Sequence, residues 1–498
     1  MQMISDYSKL SEPGGAPALS SVRAPRLTPA RMYSILLAGD PSYNGRFFTG
    51  VLTTGIYCLP SCKARKPKAD NVRFFPSVAA ARAAGLRPCK KCHPDDFARG
   101  ADPVLECIET LVAEVRANPA AFADTRAIVR RSGFGATRLF ELVRYHYHLT
   151  PADLLLRARL ELAKRLLVAS DATLASVAYD AGFDALSSFH ENFRQFNGLT
   201  PTAYRELRTG RTFQVALPPN YPLPYLRRAL GRDIHSVTER LAGDAYVAGL
   251  MLESGPAVLK LRLSPELVQA EISGGSAVEA HAVVVGLLGL EQDAAGFARL
   301  ARRLGLVRLI AGRPELRLSQ THSVFEGLLW AVLGQQVNFP FTCQLKRRLV
   351  ERTGTPLAEG LYAPPTPAAV AALTVADLAK LQFSRQKADY VLALARLVAE
   401  GKLDLASLRS SSATRVERTL LAVRGLGPWS VNYVMMRSLG FADCVPLGDT
   451  ALSSALRALL QLDERPDILA VRRLMAVFSP FRSLATAHLW QFNKPVPI

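Results

Sequence analysis

Four cysteines near the amino terminus have the residue type and spacing of metal ligands. They form two short pairs, Cys58-x3-Cys62 and Cys89-x2-Cys92, which are separated by 26 residues. Two thiol pairs joined by a loop are the usual way in which a chain builds a tetrahedral four-cysteine zinc site. We therefore predict one Zn²⁺ ion held by these four thiolates.

Basic side chains surround the cysteines. Between Arg46 and Lys91 the chain has ten basic residues and one acidic residue, Asp70. Four thiolates around Zn²⁺ carry a net negative charge, which some of these side chains offset. The surplus predicts a DNA-facing surface, whose candidate contacts are Lys63, Arg65, Lys90 and Lys91. A purely structural zinc ribbon is the alternative that the spacing leaves open.

A second group of residues suited to DNA chemistry lies near the carboxyl terminus. The segment 421–433, LAVRGLGPWSVNY, has an apolar-Gly-apolar-Gly turn at Gly425 and Gly427 between two helical stretches. Two glycines allow backbone N–H groups to approach a phosphate closely, which is how a helix-hairpin-helix binds DNA without sequence preference. A carboxylate, Asp449, follows twenty residues after Trp429. The pattern predicts a DNA-binding hairpin with an acidic residue downstream.

Several folded modules are needed to position these groups, because a chain of 498 residues is long for one domain. We predict a multidomain fold class, mostly α with α+β modules. From the amino terminus, turn signals and β-prone runs are followed by a stretch with helical periodicity. Prolines interrupt this periodicity at 213–224, strand-like alternation returns after them, and the last part of the chain is again helical. The predicted regions are a disordered leader (1–30), a four-cysteine α+β domain (31–99), an all-α helix-turn-helix domain (104–207), an α/β domain (212–295) and an all-α helix-hairpin-helix domain (296–495).

The all-α region contains two possible helix-turn-helix units. The segment 174–196 reads as a helix, a turn containing Gly182 and a second helix, and 126–149 could form the first unit. Three phenylalanines at helical spacing are expected in the core: Phe189, Phe193 and Phe196. The pattern resembles AraC-type regulators, which implies DNA contacts from Ser187, Ser188, His190 and Arg194. Glu191 adds negative charge there, so a helical domain that only positions its neighbours is the alternative.

The overall charge favours a polyanionic partner. The net charge is +19, from 61 Lys and Arg against 42 Asp and Glu, and nucleic acid is the simplest polyanion to match it, with a membrane surface as the rival. No apolar run is long enough to span a bilayer, and residues 1–27 lack the pattern of a signal peptide. We therefore expect a cytoplasmic, nucleoid-associated protein with no membrane partner.

Three stretches around the cysteines resemble the amino-terminal domain of the Ada adaptive-response proteins: TTGIYCLPSC at 53–62, NVRFF at 71–75 and GLRPCKKCHP at 85–94. The resemblance implies that Cys58 irreversibly accepts a methyl group from a methylphosphotriester in DNA, and that Cys62, Cys89 and Cys92 complete the zinc site. Because methylation removes one negative charge, we expect binding to promoter operators to strengthen. The implied role is a one-shot transcriptional sensor, with RNA polymerase as a further candidate partner.

The hairpin, together with Asp449 in VPLGDT at 445–450, resembles the helix-hairpin-helix Gly/Pro-Asp superfamily of DNA glycosylases, and within it the AlkA-type 3-methyladenine glycosylases. The resemblance makes Asp449 the catalytic carboxylate and implies a pocket for a flipped alkylated base lined by Trp429, Tyr433 and Trp490. Trp429 stands where lyase-type relatives carry a Schiff-base lysine, so we expect a monofunctional glycosylase. Gln336 stands where AlkA-type proteins place an apolar wedge, which leaves the wedge undefined. The α/β region would be the TBP-like AlkA amino-terminal domain.

These resemblances imply an Ada-type methyl acceptor fused to an AlkA-type glycosylase, which repairs alkylated DNA and responds to it. The chain has no Pro-Cys-His-Arg stretch, the signature of alkylguanine methyltransferases, so we do not expect repair of O6-methylguanine. One alternative is a methylation-responsive transcription factor with an inactive glycosylase tail, which the presence of Asp449 argues against. The other is a repair enzyme whose front half only loads it onto DNA, which Glu191 keeps open.

Overall fold

The computed structural model describes residues 27–39, 43–98 and 102–494. The predicted leader (1–30) lies outside these residues except at its end, where the first helix, α1 at Pro29–Ala38, already begins. The chain forms two compact units, which divide between Thr110 and Leu111.

The amino-terminal unit is a small α+β module. After α1 its elements are β1 (Phe48–Val51), β2 (Ile56–Cys58), a 3₁₀ turn (Ala69–Asn71), β3 (Val72–Phe75), α2 (Val78–Ala83), β4 (Arg87–Pro88) and α3 (Pro94–Ala98). The strand order is β3-β1-β2-β4, and β2 pairs in parallel with β4. The apolar core is small and includes Phe48, Tyr57 and Ala81. A Cβ atom at Gly50 would lie 2.4 Å from the Leu86 side chain, so a larger residue there would force that side chain to move.

Helices follow from residue 103 to residue 206. They are α4 (Pro103–Ala117), α5 (Thr125–Ser132), α6 (Ala136–Tyr147), α7 (Pro151–Ala169), α8 (Leu174–Asp180), α9 (Leu186–Asn197) and α10 (Pro201–Glu206), with a 3₁₀ turn at Pro119–Ala121. The pairs α5–α6 and α8–α9 are the two helix-turn-helix units. Gly182 has a positive φ of 91° in the second turn, and a Cβ atom there would lie 2.8 Å from the Ala120 Cα, so only glycine fits.

A five-stranded antiparallel sheet comes next, as the alternation predicts. Its elements are β5 (Thr212–Ala216), α11 (Leu223–Leu230), β6 (Glu239–Ala242), β7 (Ala245–Leu252), β8 (Gly255–Leu263), β9 (Leu267–Ser273) and α12 (Ala277–Leu288), and the strand order is β5-β9-β8-β7-β6. The sheet shares one hydrophobic core with the helix-turn-helix region, in which Phe189 and Phe193 belong to the same cluster as Tyr246 and Leu259.

From residue 294 to residue 494, where the described residues end, the chain is helical apart from a short hairpin and loops. The elements are α13 (Ala294–Arg303), α14 (Val307–Ile310), α15 (Val324–Leu333), α16 (Phe339–Thr353), β10 (Thr355–Pro356), β11 (Tyr362–Ala363), α17 (Pro367–Ala371), α18 (Val375–Lys380), α19 (Arg385–Ala399), α20 (Leu405–Ser410), α21 (Ala413–Leu421), α22 (Pro428–Arg437), α23 (Thr450–Leu460), α24 (Ile468–Ala476) and α25 (Arg482–Phe492), with a 3₁₀ turn at Ala358–Gly360. One apolar cluster gathers α15, α19 and α22, and another gathers α13, α23 and α25. The predicted mostly α, multidomain fold class is confirmed.

No helix in the described part of the chain is both long enough and apolar enough to cross a membrane.

Candidate functional site

The sheet of the amino-terminal unit brings the two cysteine pairs together. Cys58 ends β2 and Cys89 directly follows β4, and these two strands run parallel with Tyr57 opposite Pro88. The Cys89 N–H donates to the Tyr57 carbonyl at 3.0 Å, which holds both thiols at the same end of the strand pair. All four Sγ atoms lie within 4.8 Å of one another.

The chemistry of this cluster fits one tetrahedral zinc ion. Zn–S bonds of about 2.3 Å place sulfurs slightly less than 4 Å apart, which is compatible with four sulfurs that all lie within 4.8 Å of one another. Cys58, Cys62 and Cys89 are buried and Cys92 is half-buried. Backbone N–H groups of Leu59 and Lys91 approach the Cys92 and Cys89 sulfurs at 3.4 Å, which suits thiolates. Hydrogen bonding from Cys62 and then Cys92 raises the pKa of Cys58, so four thiolates require a cation between them.

The basic residues predicted beside this centre lie at the surface. Lys63, Arg65, Lys90 and Lys91 are all exposed. Lys66 is only half-buried and donates from Nζ to the Cys62 carbonyl at 2.8 Å, which places one further positive charge beside the cluster. The unit therefore presents positive charge around the four-cysteine cluster.

The second helix-turn-helix unit exposes most of the predicted DNA contacts. Ser187, Ser188 and Arg194 are exposed on α9, and His190 is half-buried with its ring 5.6 Å from Phe189. Glu191 is exposed on the same helix. Phe189 and Phe193 are fully buried as expected, whereas Phe196 is only partly buried.

The first helix-turn-helix unit carries the positive charge that the second lacks. Arg126, Arg130 and Arg131 are exposed on α5. These arginines are not among the predicted DNA contacts, although their clustering in one short segment is visible in the sequence. Arg131 also donates to the Glu114 carboxylate at 2.8 Å, so its charge is partly offset.

The carboxyl-terminal helices bring Asp449 into contact with the predicted pocket residues. Asp449 is the N-cap of α23, and its Oδ1 accepts the Leu452 N–H at 2.7 Å. The Trp429 indole N–H donates to Oδ2 and the Trp490 indole N–H donates to Oδ1, both at 3.2 Å. Trp429 stacks on Tyr433 with ring centroids 5.3 Å apart, and Trp490 lies 6.4 Å from the same ring. A cluster of three aromatic side chains therefore lies beside the carboxylate.

The glycine hairpin that precedes α22 is open for a phosphate. Gly425 has φ 97°, and a Cβ atom there would lie 2.5 Å from the Tyr390 ring, so this position requires glycine. Gly427 is the N-cap of α22, and a Cβ atom there would have no neighbour within 4 Å. The first N–H groups of α22 can therefore approach a phosphate oxygen.

Gln336 lies on an exposed turn that neighbouring side chains hold in place. Its φ is 56°, in the left-handed region that is unfavourable for a residue with a side chain. The Lys387 ammonium donates to the carbonyls of Leu333 at 2.8 Å and Gln335 at 2.9 Å. The Gln335 amide in turn donates to the Gly425 carbonyl at 2.7 Å, which links this turn to the hairpin. Neither Lys387 nor Gln335 carried a signal in the sequence.

Comparison with protein families gives three matches in order along the chain. Residues 31–95 match the metal binding domain of Ada, residues 128–207 match a helix-turn-helix domain, and residues 329–480 match the HhH-GPD superfamily base excision DNA repair proteins. The first match covers the cysteines, and the third covers the hairpin and Asp449.

Individual relatives are similar to different shares of the chain. A probable bifunctional transcriptional activator/DNA repair enzyme AlkA of Mycobacterium tuberculosis is 28% identical over 92% of this chain and 95% of its own length. A DNA-3-methyladenine glycosylase of Bacillus subtilis is 31% identical over 41% of this chain and 68% of its own length. The solved 3-methyladenine DNA-glycosylase of Archaeoglobus fulgidus superposes with a TM-score of 0.50 at 21% identity, covering 57% of this chain and 98% of that one, and so shares the fold.

Proposed function

Because the chain belongs to the HhH-GPD superfamily of base excision DNA repair proteins, we propose that its carboxyl-terminal region is a monofunctional glycosylase that excises alkylated purines such as 3-methyladenine from double-stranded DNA. The observation that carries this proposal is the position of Asp449, whose two carboxylate oxygens accept hydrogen bonds from Trp429 and Trp490 in an aromatic cluster. The names of the relatives support the same substrate class.

The aromatic rings suit the chemistry of an alkylated base. N-alkylation gives a purine positive charge, and the π faces of Trp429 and Tyr433 attract a cation. The same charge makes the base a good leaving group, because the electron pair of the broken C1′–N bond neutralises it. A flipped base lying against these rings would bring its sugar toward Asp449.

Asp449 then acts on the sugar. Its negative charge stabilises the oxocarbenium-like character that develops at C1′ as the bond to the base breaks. A water molecule adds its oxygen to C1′, and the carboxylate accepts the proton that this water loses. The product is an abasic site. Trp429, at the position of the lyase lysine, has no amine for a Schiff base, so the strand stays intact.

The amino-terminal unit would add a second, stoichiometric activity. We propose that Cys58 attacks the methyl carbon of a methylphosphotriester: a sulfur–carbon bond forms, the carbon–oxygen bond breaks, and an ordinary phosphodiester leaves with the electron pair. When bound, zinc keeps the thiols deprotonated at neutral pH. Lys63, Arg65, Lys90 and Lys91, exposed around this centre, would hold the DNA backbone.

Methylation of Cys58 would change the DNA affinity of the amino-terminal unit, and this change would signal alkylation damage. The reaction converts an anionic sulfur ligand into a neutral thioether, which lowers repulsion toward phosphate. DNA affinity then rises, and the helix-turn-helix region would direct the protein to promoter operators. The bifunctional activator and repair activities in the name of the Mycobacterium tuberculosis relative support this role.

The glycosylase proposal is tested by release of methylated purines from alkylated duplex DNA. Asp449→Asn should abolish release, because the amide carries no charge. Asp467→Asn is the matched control: Asp467 is also an N-cap, accepting the Ala470 N–H at 2.7 Å, and it begins α24. Equal activity of the two variants would contradict the catalytic role of Asp449. No release by a folded wild type would instead favour the regulator with an inactive tail.

The methyl-acceptor proposal is tested by mass spectrometry after incubation with DNA that contains methylphosphotriesters. We expect one methyl group on Cys58. The half-buried Cys92 is the matched comparison, because it is more exposed than Cys58. A methyl group on Cys92, or on none of the four cysteines, would contradict the assignment.

A further inference from the structure

A tight turn precedes β6 and packs against the start of α16. In this 231–238 turn, the Asp233 carboxylate accepts the His235 N–H at 3.1 Å, and the Asp233 carbonyl accepts the Ser236 N–H at 3.2 Å. The Arg232 guanidinium lies 4.5 Å from the centre of the Phe339 ring, the first residue of α16. These contacts hold the turn in one position.

A second contact to α16 comes from the next residue of the turn. Burial first, and then the neighbouring Asp233 carboxylate, raise the pKa of Cys343 to about 11, so this thiol stays protonated and can donate to the carboxylate. Cys343 is one turn further along α16 than Phe339. The 231–238 turn is therefore attached to the helix that begins three residues after Gln336.

Ile234 lies at the tip of this turn and faces solvent. Its exposed fraction is 85%, whereas the other large apolar side chains that are exposed in the described ranges reach at most 58%. A single exposed aliphatic residue is common on protein surfaces. This one, however, lies on a turn that packs against α16, the helix that begins three residues after the exposed Gln336, and its neighbours Arg232 and His235 are basic and exposed.

We propose that Ile234 inserts between base pairs next to the flipped nucleotide and supplies the apolar wedge that Gln336 lacks. This inference rests on the proposed glycosylase function. An aliphatic side chain can separate stacked bases, and its burial against them is favourable. The Gln336 amide would hydrogen-bond the base left without its partner. Ile234 and Gln336 together would then keep the duplex open. Arg232 would contact the adjacent phosphate.

The test measures binding of the full chain to two short duplexes of the same sequence, one undamaged and one with a tetrahydrofuran analogue of an abasic site. Ile234→Ala should weaken binding to the abasic duplex about tenfold, which corresponds to loss of most of a buried aliphatic side chain. Binding to the undamaged duplex should stay unchanged, and Ile234→Leu should retain the wild-type preference. Folding is not at risk, because the side chain is exposed.

Ile468→Ala is the matched control, because Ile468 is 55% exposed on α24. A 2-aminopurine base beside the abasic site gives a second readout, since insertion unstacks it and raises its fluorescence. An Ile234→Ala protein that binds the abasic duplex as tightly as the control and unstacks the reporter equally would overturn the wedge. Excision of alkylated bases is measured in parallel. A wild type that shows the wedge effect without excision would refute the glycosylase proposal alone.

Discussion

We expect the position of the turn that carries Gln336 to depend on Lys387, a residue that is not itself a DNA contact. Lys387 is 9% exposed, and its ammonium donates to the carbonyls of Leu333 at 2.8 Å, Gln335 at 2.9 Å and Val332 at 3.3 Å. Lys387→Met keeps the length of the side chain and removes the donor. The two carbonyls at the end of α15 and the Gln335 carbonyl just beyond it then lose this partner.

The size of the effect follows from these contacts. A hydrogen bond to a charged group contributes about 1.5–3 kcal/mol, and the cost of burying the ammonium offsets part of the sum, so we expect a loss of about 3 kcal/mol in the free energy of unfolding. The left-handed backbone of Gln336 itself costs about 1–3 kcal/mol, and the turn can relax once its anchor is gone. A displacement of roughly 1 Å near a reacting group lowers rates by about 100-fold, so excision should fall by about 10- to 100-fold.

The assay is single-turnover excision from alkylated duplex DNA at a temperature where every variant is folded, together with the midpoint of thermal unfolding. Arg317→Met is the matched control. Arg317 also donates to three backbone carbonyls, those of Gly289, Leu290 and Gln292, but it lies outside the hairpin and the Gln336 turn. The two variants should lose similar stability, and only Lys387→Met should lose excision. Equal excision rates for both would refute the positioning argument.

Three further outcomes are expected. Trp490→Phe keeps the aromatic surface but removes the indole donor to Asp449. Single-turnover excision should therefore fall about tenfold, while affinity for abasic DNA stays unchanged. An unaltered excision rate would show that this hydrogen bond does not orient the carboxylate. Burial lowers the pKa of His281 to about 4 and of His488 to about 3. Both histidines stay neutral in the fold, so their contribution to stability is retained above pH 6.5. Below pH 6.5 the free energy of unfolding falls by up to about 1.4 kcal/mol per pH unit for each histidine. The thermal stability of His281→Gln and His488→Gln should therefore fall less steeply with decreasing pH, and an unchanged pH dependence would contradict the lowered pKa values. Cys62→Ser or a zinc chelator should unfold the amino-terminal unit, because its apolar core is small. Excision should stay intact. Loss of excision would show that the two units are coupled.

Much of the fold could be predicted from local patterns in the sequence. Cysteine spacing predicted the four-thiol cluster, and helical periodicity predicted both helix-turn-helix units, because these signals depend on residues near one another in the chain. The segment 213–224 shows where local reasoning fails. Prolines suggested an interruption there, yet β5 occupies Thr212–Ala216 and α11 begins at Leu223. Pairing with β9 sets the first element, and proline is well tolerated in the first turn of the second.

The site was predictable as a set of residues but not as an arrangement. Asp449, Trp429 and Trp490 were named from motifs, whereas their hydrogen bonds depend on how α22, α23 and α25 pack. Lys387 and Gln335 could not be found, because each acts on atoms of a distant segment. A buried lysine on a helix looks in sequence like any lysine on a solvated face.

The packing of the helix-turn-helix region bears on whether it reads DNA or only delivers the glycosylase to it. His146 at the end of α6 lies 2.8 Å from the Thr414 hydroxyl of α21, and Arg116 donates to the Ser410 carbonyl at the end of α20. α21 leads directly into the hairpin. A DNA segment held by α5 and α6 would therefore have a defined direction relative to Gly425 and Gly427, because these side-chain contacts join the two regions. Rigid attachment of this kind suits both a loader and an operator-binding activator, so sequence-dependent affinity of the methylated protein is what separates the two roles.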